Sequence, residues 1–264
     1  MAALEVITGY VTAPSTTETI LTMASGNSAT IRASSPNAGI YLIDTWAKSQ
    51  TAGIWKIRSP RSHDNVQGLR FRTTVAEPRS LFHYAMSYKL YAQDTLLLSL
   101  SGSATSGDIE QASCQIYYED LPGANGRFIT PEAMNARLCN TMSCEVAITG
   151  GSAGGYSGAV LLNSSFDLMK GNTDYALLGY DINLVGCTLR IYGQDTGNLG
   201  IGMPATAKTK ETTSTYFIDL SKQLGRGLIP VINSSNKSNT YVDIACDENG
   251  GAYVANLIFA ELTQ

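Results

Sequence analysis

Short alternating runs of apolar and polar residues dominate the chain. In the first half these are LEVITGYV, ETILTMA, SATIRAS, GIYLIDTW, GIWKIRS, GLRFRTTV, TLLLSLSG and CQIYYEDL, between Leu4 and Leu121. They are rich in β-branched and aromatic residues, the pattern of half-buried strands. APST, SGNS, SSPNAG, SPRSHDN and SGSATSGD separate them. These supply turn chemistry: Pro fixes φ, Gly permits positive φ, and Asn and Ser bond their own backbone. The second half repeats the style in EVAITG, SGAVLLNSS, YALLGYDINLVG, TLRIYG, TYFIDLS, GLIPVINSS, TYVDIAC and AYVANLIFAEL. That is about eight strands per half, which predicts an all-β chain built as sandwiches or barrels.

A few segments read differently. TPEAMNARLCN offers Thr130 as N-cap, Pro131 at the first helical position and Glu132 in the first turn, so a short helix is expected there. STTETIL and IDLSKQLG each have room for a turn of helix, the second stopped by Gly225. SLFHYAMSYKLYA, Ser80 to Ala92, fits either period. It holds the place in the first half that YFIDLSKQLG holds in the second.

The two halves also echo each other in order. LEVITG at Leu4 returns as CEVAITG at Cys144, with Glu5 and Glu145 140 positions apart. GIWKIRSP returns as CTLRIYGQ, Ile57 and Ile191 being 134 apart, and Asn65 and Asn198 are 133 apart. CQIYYEDL returns as ANLIFAEL, with Leu121 and Leu262 141 apart. Ordered echoes at one long spacing are the mark of two copies of one unit. The competing account is a small β vocabulary used twice. The expected division is 1–121 and 144–264, joined by a connecting segment 122–143 that carries the helix.

Composition narrows the function classes. The net charge is −4 over 264 residues and the pI about 5.2, which argues against a dedicated nucleic-acid binder with a basic face. No apolar run reaches the ~18 residues of a membrane-spanning helix. MAALEVITGY lacks the basic and apolar regions of an ordinary signal peptide. The five cysteines, Cys114, Cys139, Cys144, Cys187 and Cys246, form no CxxC and are expected as free thiols. Only 15% of residues are charged, consistent with much surface buried against something.

No catalytic constellation stands out. His63, in SPRSHDN, reads as a solvated turn residue and His83, in LFHYAM, as a half-buried aromatic. Cys139 and Cys144 lack two further zinc ligands nearby. GGSAGGYSGA, Gly150 to Ala159, lacks the lysine of a phosphate loop and the spacing of a nucleophile elbow; a tight subunit contact is the better expectation. CDENGG, Cys246 to Gly251, lacks the DxDxDG spacing of a calcium loop and reads as a hairpin turn at Asn249-Gly250. Asn163, Asn233 and Asn236 match the glycosylation pattern but read as polar loops. Arg58 and Arg61 make a small basic patch. No catalytic or cofactor-binding residue is assigned, and the sequence does not say whether a metal is held.

Two similar β units, neutral polar loops and no chemistry make the chain resemble the double-jelly-roll major capsid proteins of tailless icosahedral bacteriophages with an internal membrane, corticovirus type. The likeness rests on the two-unit pattern, on YYEDLPG (Tyr117 to Gly123) closing the first unit, on the capped helix and on a chain ending in its last strand, VANLIFAELTQ. It implies two tandem eight-stranded jelly-roll β-barrels and homotrimers of pseudo-hexagonal outline. These would tile an icosahedral shell over a membrane, with a vertex protein and viral membrane proteins as further partners. The chain would be made in the host cytoplasm and reside in the virion. Some such proteins bind Ca2+ in the trimer; no residue here is assigned to it. The alternatives are a tandem β-sandwich binding module or virion spike recognising carbohydrate, which should expose aromatic platforms, and a cupin-type enzyme, which needs a histidine cluster.

Overall fold

Strands form at most of the segments that the alternation predicts, and among the described residues they assemble into four antiparallel sheets. The computed structural model describes residues 1–12, 17–26, 28–62, 64–73, 77–80, 88–163, 169–207 and 213–263. The first half holds β1 (Ala3–Thr12), β2 (Thr19–Ile20), β3 (Thr22–Met23), β4 (Ile40–Lys48), β5 (Ile54–Ser59), β6 (Asp64–Arg72), β7 (Arg79–Ser80), β8 (Tyr88–Leu90), β9 (Leu97–Ser101) and β10 (Ile109–Tyr118). Its sheets run β3-β1-β10-β4-β7, with β8 also on β4, and β2-β9-β5-β6.

The second half holds β11 (Phe128–Ile129), α1 (Pro131–Arg137), β12 (Leu138–Thr149), β13 (Val160–Leu161), β14 (Asp174–Ile182), β15 (Thr188–Gly193), β16 (Ile201–Pro204), α2 (Tyr216–Leu224), β17 (Ile229–Asn233), β18 (Thr240–Ala245) and β19 (Ala252–Leu262). Its sheets run β11-β17-β14-β19-β12 and β13-β18-β15-β16. Among these, β1-β10-β4-β8 corresponds place for place to β12-β19-β14-β17, and β2-β9-β5-β6 to β13-β18-β15-β16. The sheets of each half share a core but remain separate, so each half is an open two-sheet sandwich and not a closed barrel.

The alternation of side chains tests the sequence echoes directly, because a slip of one residue turns every side chain to the other face. Trp55 and Ile57 point into the first core, and their counterparts Leu189 and Ile191 into the second. Single 3-10 turns follow at Pro60–Ser62 and Gln194–Thr196, again 134 positions apart. Cys114, Ile116 and Tyr118 match Ala255, Leu257 and Phe259 in the same way. The opening echo is different. Aligned on glutamate, it pairs the inward Cys144 and Val146 with Leu4 and Val6, which point away from their own core. Aligned on isoleucine, Ile7 and Ile148, 141 apart, both face inward. Asn65 and Asn198 do not correspond: one lies inside β6 and the other in a left-handed turn before β16.

The helix at 131–137 forms as predicted, with the Thr130 hydroxyl accepting from the Ala133 amide at 3.2 Å. α2 replaces the strand expected at TYFIDLS and ends at Gly225 in the left-handed conformation, φ 61°. Its buried face, Tyr216, Phe217 and Leu220, follows helical spacing, which overrides the β-branched text. STTETIL forms no helix among its described residues; Thr19–Ile20 is strand β2. SATIRAS contributes a single bridge, Thr30 to Thr95. Of SLFHYAMSYKLYA, residues 81–87 lie outside the described residues. β12 begins at Leu138 because Leu138 to Ser143 pair with the end of β19, so this strand reaches back into the segment expected as a connector. Among the described residues no helix is long and apolar enough to cross a membrane.

Candidate functional site

The most elaborate assembly of side chains is the seam between the halves. Along β1, alternation sends Ala3, Ile7 and Val11 into the first core and Leu4, Val6, Thr8 and Tyr10 to the opposite side. Register places Gln111, Ser113, Gln115 and Tyr117 of β10 beside them, then Asp44, Trp46 and Lys48 of β4. This outward face is covered by the second half, so all ten residues of β10 are buried.

The cover is polar at its centre. Ser113 Oγ lies 2.8 Å from Thr8 Oγ1 and 2.5 Å from Thr188 Oγ1. Trp46 Nε1 donates to Thr188 Oγ1 at 3.0 Å, and the Tyr156 hydroxyl donates to Thr8 Oγ1 at 2.7 Å. The backbone N–H of Gly202 donates to Gln115 Oε1 at 3.0 Å, and Val6 N donates to Gly200 O at 2.8 Å. At one end Lys48 Nζ meets Asp247 Oδ1 at 2.5 Å, both side chains 8% exposed. Gln50 Nε2 donates to the other Asp247 oxygen at 2.6 Å. Nearby, Asp44 accepts from the Tyr216 hydroxyl at 2.7 Å. Burial first, then Asp44, holds that phenol well above its usual range. At the far end Arg226 pairs with Glu119 at 2.7 Å and lies over the rings of Tyr41 and Tyr117. Leu4, Ile43 and Tyr117 extend into the second core.

The glycine-rich stretch 150–159 belongs to this seam. Gly154 has φ 91°, and a Cβ there would stand 2.3 Å from the Tyr10 ring. Its carbonyl accepts from Gln111 Nε2 at 3.4 Å. The loop therefore makes its close contact within the chain. CDENGG is no hairpin, since β18 and β19 belong to different sheets. It crosses between them, and the crossing delivers Asp247 to Lys48.

The other residues singled out by sequence do not converge. His63 and His83 lie outside the described residues. The cysteines are unbonded, four of them buried and Cys139 exposed. Burial pushes the Cys114 thiol up to about 12 and the Cys187 thiol up to about 11, which keeps both as unreactive thiols at neutral pH. Among the described residues no group of three His, Cys, Asp or Glu is placed to hold a metal. Arg58 pairs with Glu18 and Arg61 donates to Ala92 O. Asn233 caps a 3-10 turn through Ser235, and Asn236 donates to Asp195; Asn163 is half-buried. A cleft of about 720 Å3 opens beside the seam, lined by Glu5, Arg32, Arg190 and Tyr192. Its guanidiniums are already engaged, Arg32 by Glu5 and Arg190 by both oxygens of Asp243. The seam residues were legible only as an oddity, QASCQ, polar at every second position inside an apolar strand.

No family model matches the chain, and no curated protein matches it. Among solved structures it is similar to one titled "Crystal structure of PBSX exported protein XepA", at 7% identity and a TM-score of 0.28, over 98% of this chain and 86% of that one.

Proposed function

We propose that the protein is a structural coat protein: two tandem jelly rolls, assembled as homotrimers of pseudo-hexagonal outline that tile an icosahedral virion shell over an internal membrane. The observation that carries the proposal is the matching strand order in the two halves. In each, the first strand lies beside the last and the sheet continues to the third and sixth of the eight matching strands, while the remaining four form the facing sheet. That order supports the reading of each half as an eight-stranded double-sheet jelly roll. The polar seam supports it further: the two sandwiches are held by buried hydrogen bonds and an ion pair, which fixes their relative placement as a tile requires. Ser113, Thr188 and Trp46 are paired there, while Gln111 Oε1 and Gln115 Nε2 are buried with no hydrogen-bond partner among the described residues, so the bonds made favour one arrangement without completing the network. The proposal includes no catalytic step and no resident cofactor.

The carbohydrate-binding alternative needs exposed aromatic platforms, and both tryptophans, Trp46 and Trp55, are wholly buried. The deciding measurement is the native mass in solution by light scattering, with and without EDTA. The expected result is three times 28.2 kDa or larger shells, and loss of assembly in EDTA would add a structural divalent ion. A monomer at micromolar concentration would overturn the coat reading.

A further inference from the structure

The cleft beside the seam takes one wall from each half. Glu5, Arg32 and Gln93 come from the first half, and Arg190, Tyr192 and Asn198 from the second. Val6 and Leu199 line it too and are themselves buried, so its bottom is aliphatic. A second hollow of about 400 Å3 shares Arg32, Ala33 and Leu199 with it and continues to Pro122 and Ala124. The main cleft, about 720 Å3, falls within the roughly 300–1,000 Å3 of small-molecule sites.

Its ionic groups cancel. Arg32 Nε and Nη2 both lie 2.8 Å from Glu5 Oε1, and the Tyr118 hydroxyl donates to Glu5 Oε2 at 2.9 Å. Arg190 meets both oxygens of Asp243, and its guanidinium carbon lies 3.6 Å from the Tyr156 ring centre. Gly200 leaves room for that stem, since a Cβ there would stand 2.4 Å from Arg190 Cδ. A guanidinium and a carboxylate fixed side by side offer donors and acceptors without net charge. To these the cleft adds two carboxamides, Gln93 from one wall and Asn198 from the other, which make no side-chain hydrogen bond among the described residues. Both residues hold left-handed backbone, φ 60° and 59°, two of the four such non-glycine residues among those described. Side chains seldom occupy that region, and those that do cluster at functional sites.

We propose that this cleft binds a neutral saccharide, held by Gln93 and Asn198 from opposite walls and by the Arg32–Glu5 pair. Neighbouring hydroxyls of a sugar ring donate and accept together, which matches carboxamides and ion pairs that do the same. The C–H groups of the ring suit the aliphatic bottom at Val6 and Leu199. An anion would have to displace Glu5 or Asp243 from its arginine. An extended peptide needs a row of unpaired main-chain groups, but the amides of Val6, Ile31, Gln93 and Asn198 already bond Gly200, Asp94, Ile31 and Gly193. Two walls enclose the sugar, so the cleft needs no aromatic platform of the kind an open binding surface uses. The site is complete within one chain; it goes beyond the coat reading and does not depend on it.

The test is titration calorimetry of the full chain with maltotriose, cellotriose and chitotriose. At least one is expected to bind with a Kd of about 1 mM or below. Gln93→Gly and Asn198→Gly each remove a carboxamide, and glycine adopts φ near 60° readily, so both variants should keep the thermal midpoint of the unmodified chain. Each is expected to weaken binding about tenfold. Absence of binding by all three sugars at about 10 mM, or binding unchanged by both substitutions, would overturn the proposal. Binding of inorganic phosphate or of a tetraserine peptide in place of the sugars would assign the cleft to an anion or to a polypeptide and overturn it equally. Light scattering on the same samples reports the coat reading separately, so failure here leaves that reading standing.

Discussion

β10 and β19 hold the same place in the two halves, between the first strand and the third, yet they meet different surroundings. All ten residues of β10 are buried, whereas β19 alternates between buried and half-buried over Tyr253 to Phe259. The sequences suggest the reverse: the outward positions of β10 are Gln111, Ser113 and Gln115, those of β19 Val254, Asn256 and Ile258. Polarity at alternate positions therefore does not tell whether a sheet face meets water or protein. What decides it is whether complementary donors and acceptors wait opposite, as Thr188 and Gly202 do for Ser113 and Gln115.

The largest effect should come from removing the centre of the covered face. Trp46 is wholly buried there and satisfies Thr188. Trp46→Ala should destabilise the chain by about 3–5 kcal/mol in denaturant unfolding, the usual cost of a large aromatic lost from a core. Ile258→Ala, on the outward face of β19, should cost about 1 kcal/mol, because a half-exposed side chain leaves little cavity. Equal costs would mean that the covered seam contributes no more than an ordinary surface.

Next in size is the ion pair at the end of the seam. Asp247→Ala strands the buried Lys48 ammonium and should cost about 3 kcal/mol. Replacing both partners, Lys48→Met with Asp247→Leu, should cost far less, about 1 kcal/mol or under, since no buried charge is then left alone. A double-mutant cycle reads the difference as a coupling energy. Additive losses would show that Gln50 and water already compensate each partner.

Much of this architecture is written locally. The strands at TLRIYG and AYVANLIFAEL begin and end as their alternation predicts, and Thr130-Pro131 starts a helix. The repeat is legible because inward side chains keep a period of two, so Trp55 and Ile57 find Leu189 and Ile191 at a fixed spacing. The glutamate echo misled because a match of letters ignores which face a residue occupies. The Asn249-Gly250 pair misled because turn chemistry reports that the chain bends, not which strands the bend joins. The seam is the least legible part. Lys48 meets Asp247 across 199 positions, and nothing local in either segment names its partner.

A smaller effect is expected from pH, at the far end of the seam. The Gly39 amide and then Arg226 hold the Glu119 carboxyl below the usual carboxylate range. For Asp174 burial alone pushes upward, but Arg127, Asn233 and Arg137 together outweigh it, and its carboxyl is also held low. A carboxyl whose folded pKa lies below its unfolded value stabilises the fold fully above the unfolded value. That contribution is lost as pH falls through the folded one. Thermal midpoints should therefore decline from about pH 5 downward. Glu119→Gln should remove part of that decline, through the seam, while Asp174→Asn removes part of it within the second half. A Glu119→Gln profile parallel to that of the unmodified chain would show that the Arg226 clamp contributes nothing to the junction.

The smallest effect separates the two helices. α1 has seven residues and one buried apolar anchor beyond its proline, Met134, so its first turn depends on Thr130 accepting from the Ala133 amide. α2 has nine residues, buries Tyr216, Phe217 and Leu220, and its Thr215 hydroxyl bonds the Asp219 carboxylate and not a backbone amide. Loss of a side-chain N-cap costs about 1 kcal/mol. Thr130→Ala should show that cost in denaturant unfolding, and Thr215→Ala about half of it or less. If the two substitutions cost the same, α1 is held by the packing of Met134 and the strand that follows it, and its cap is dispensable.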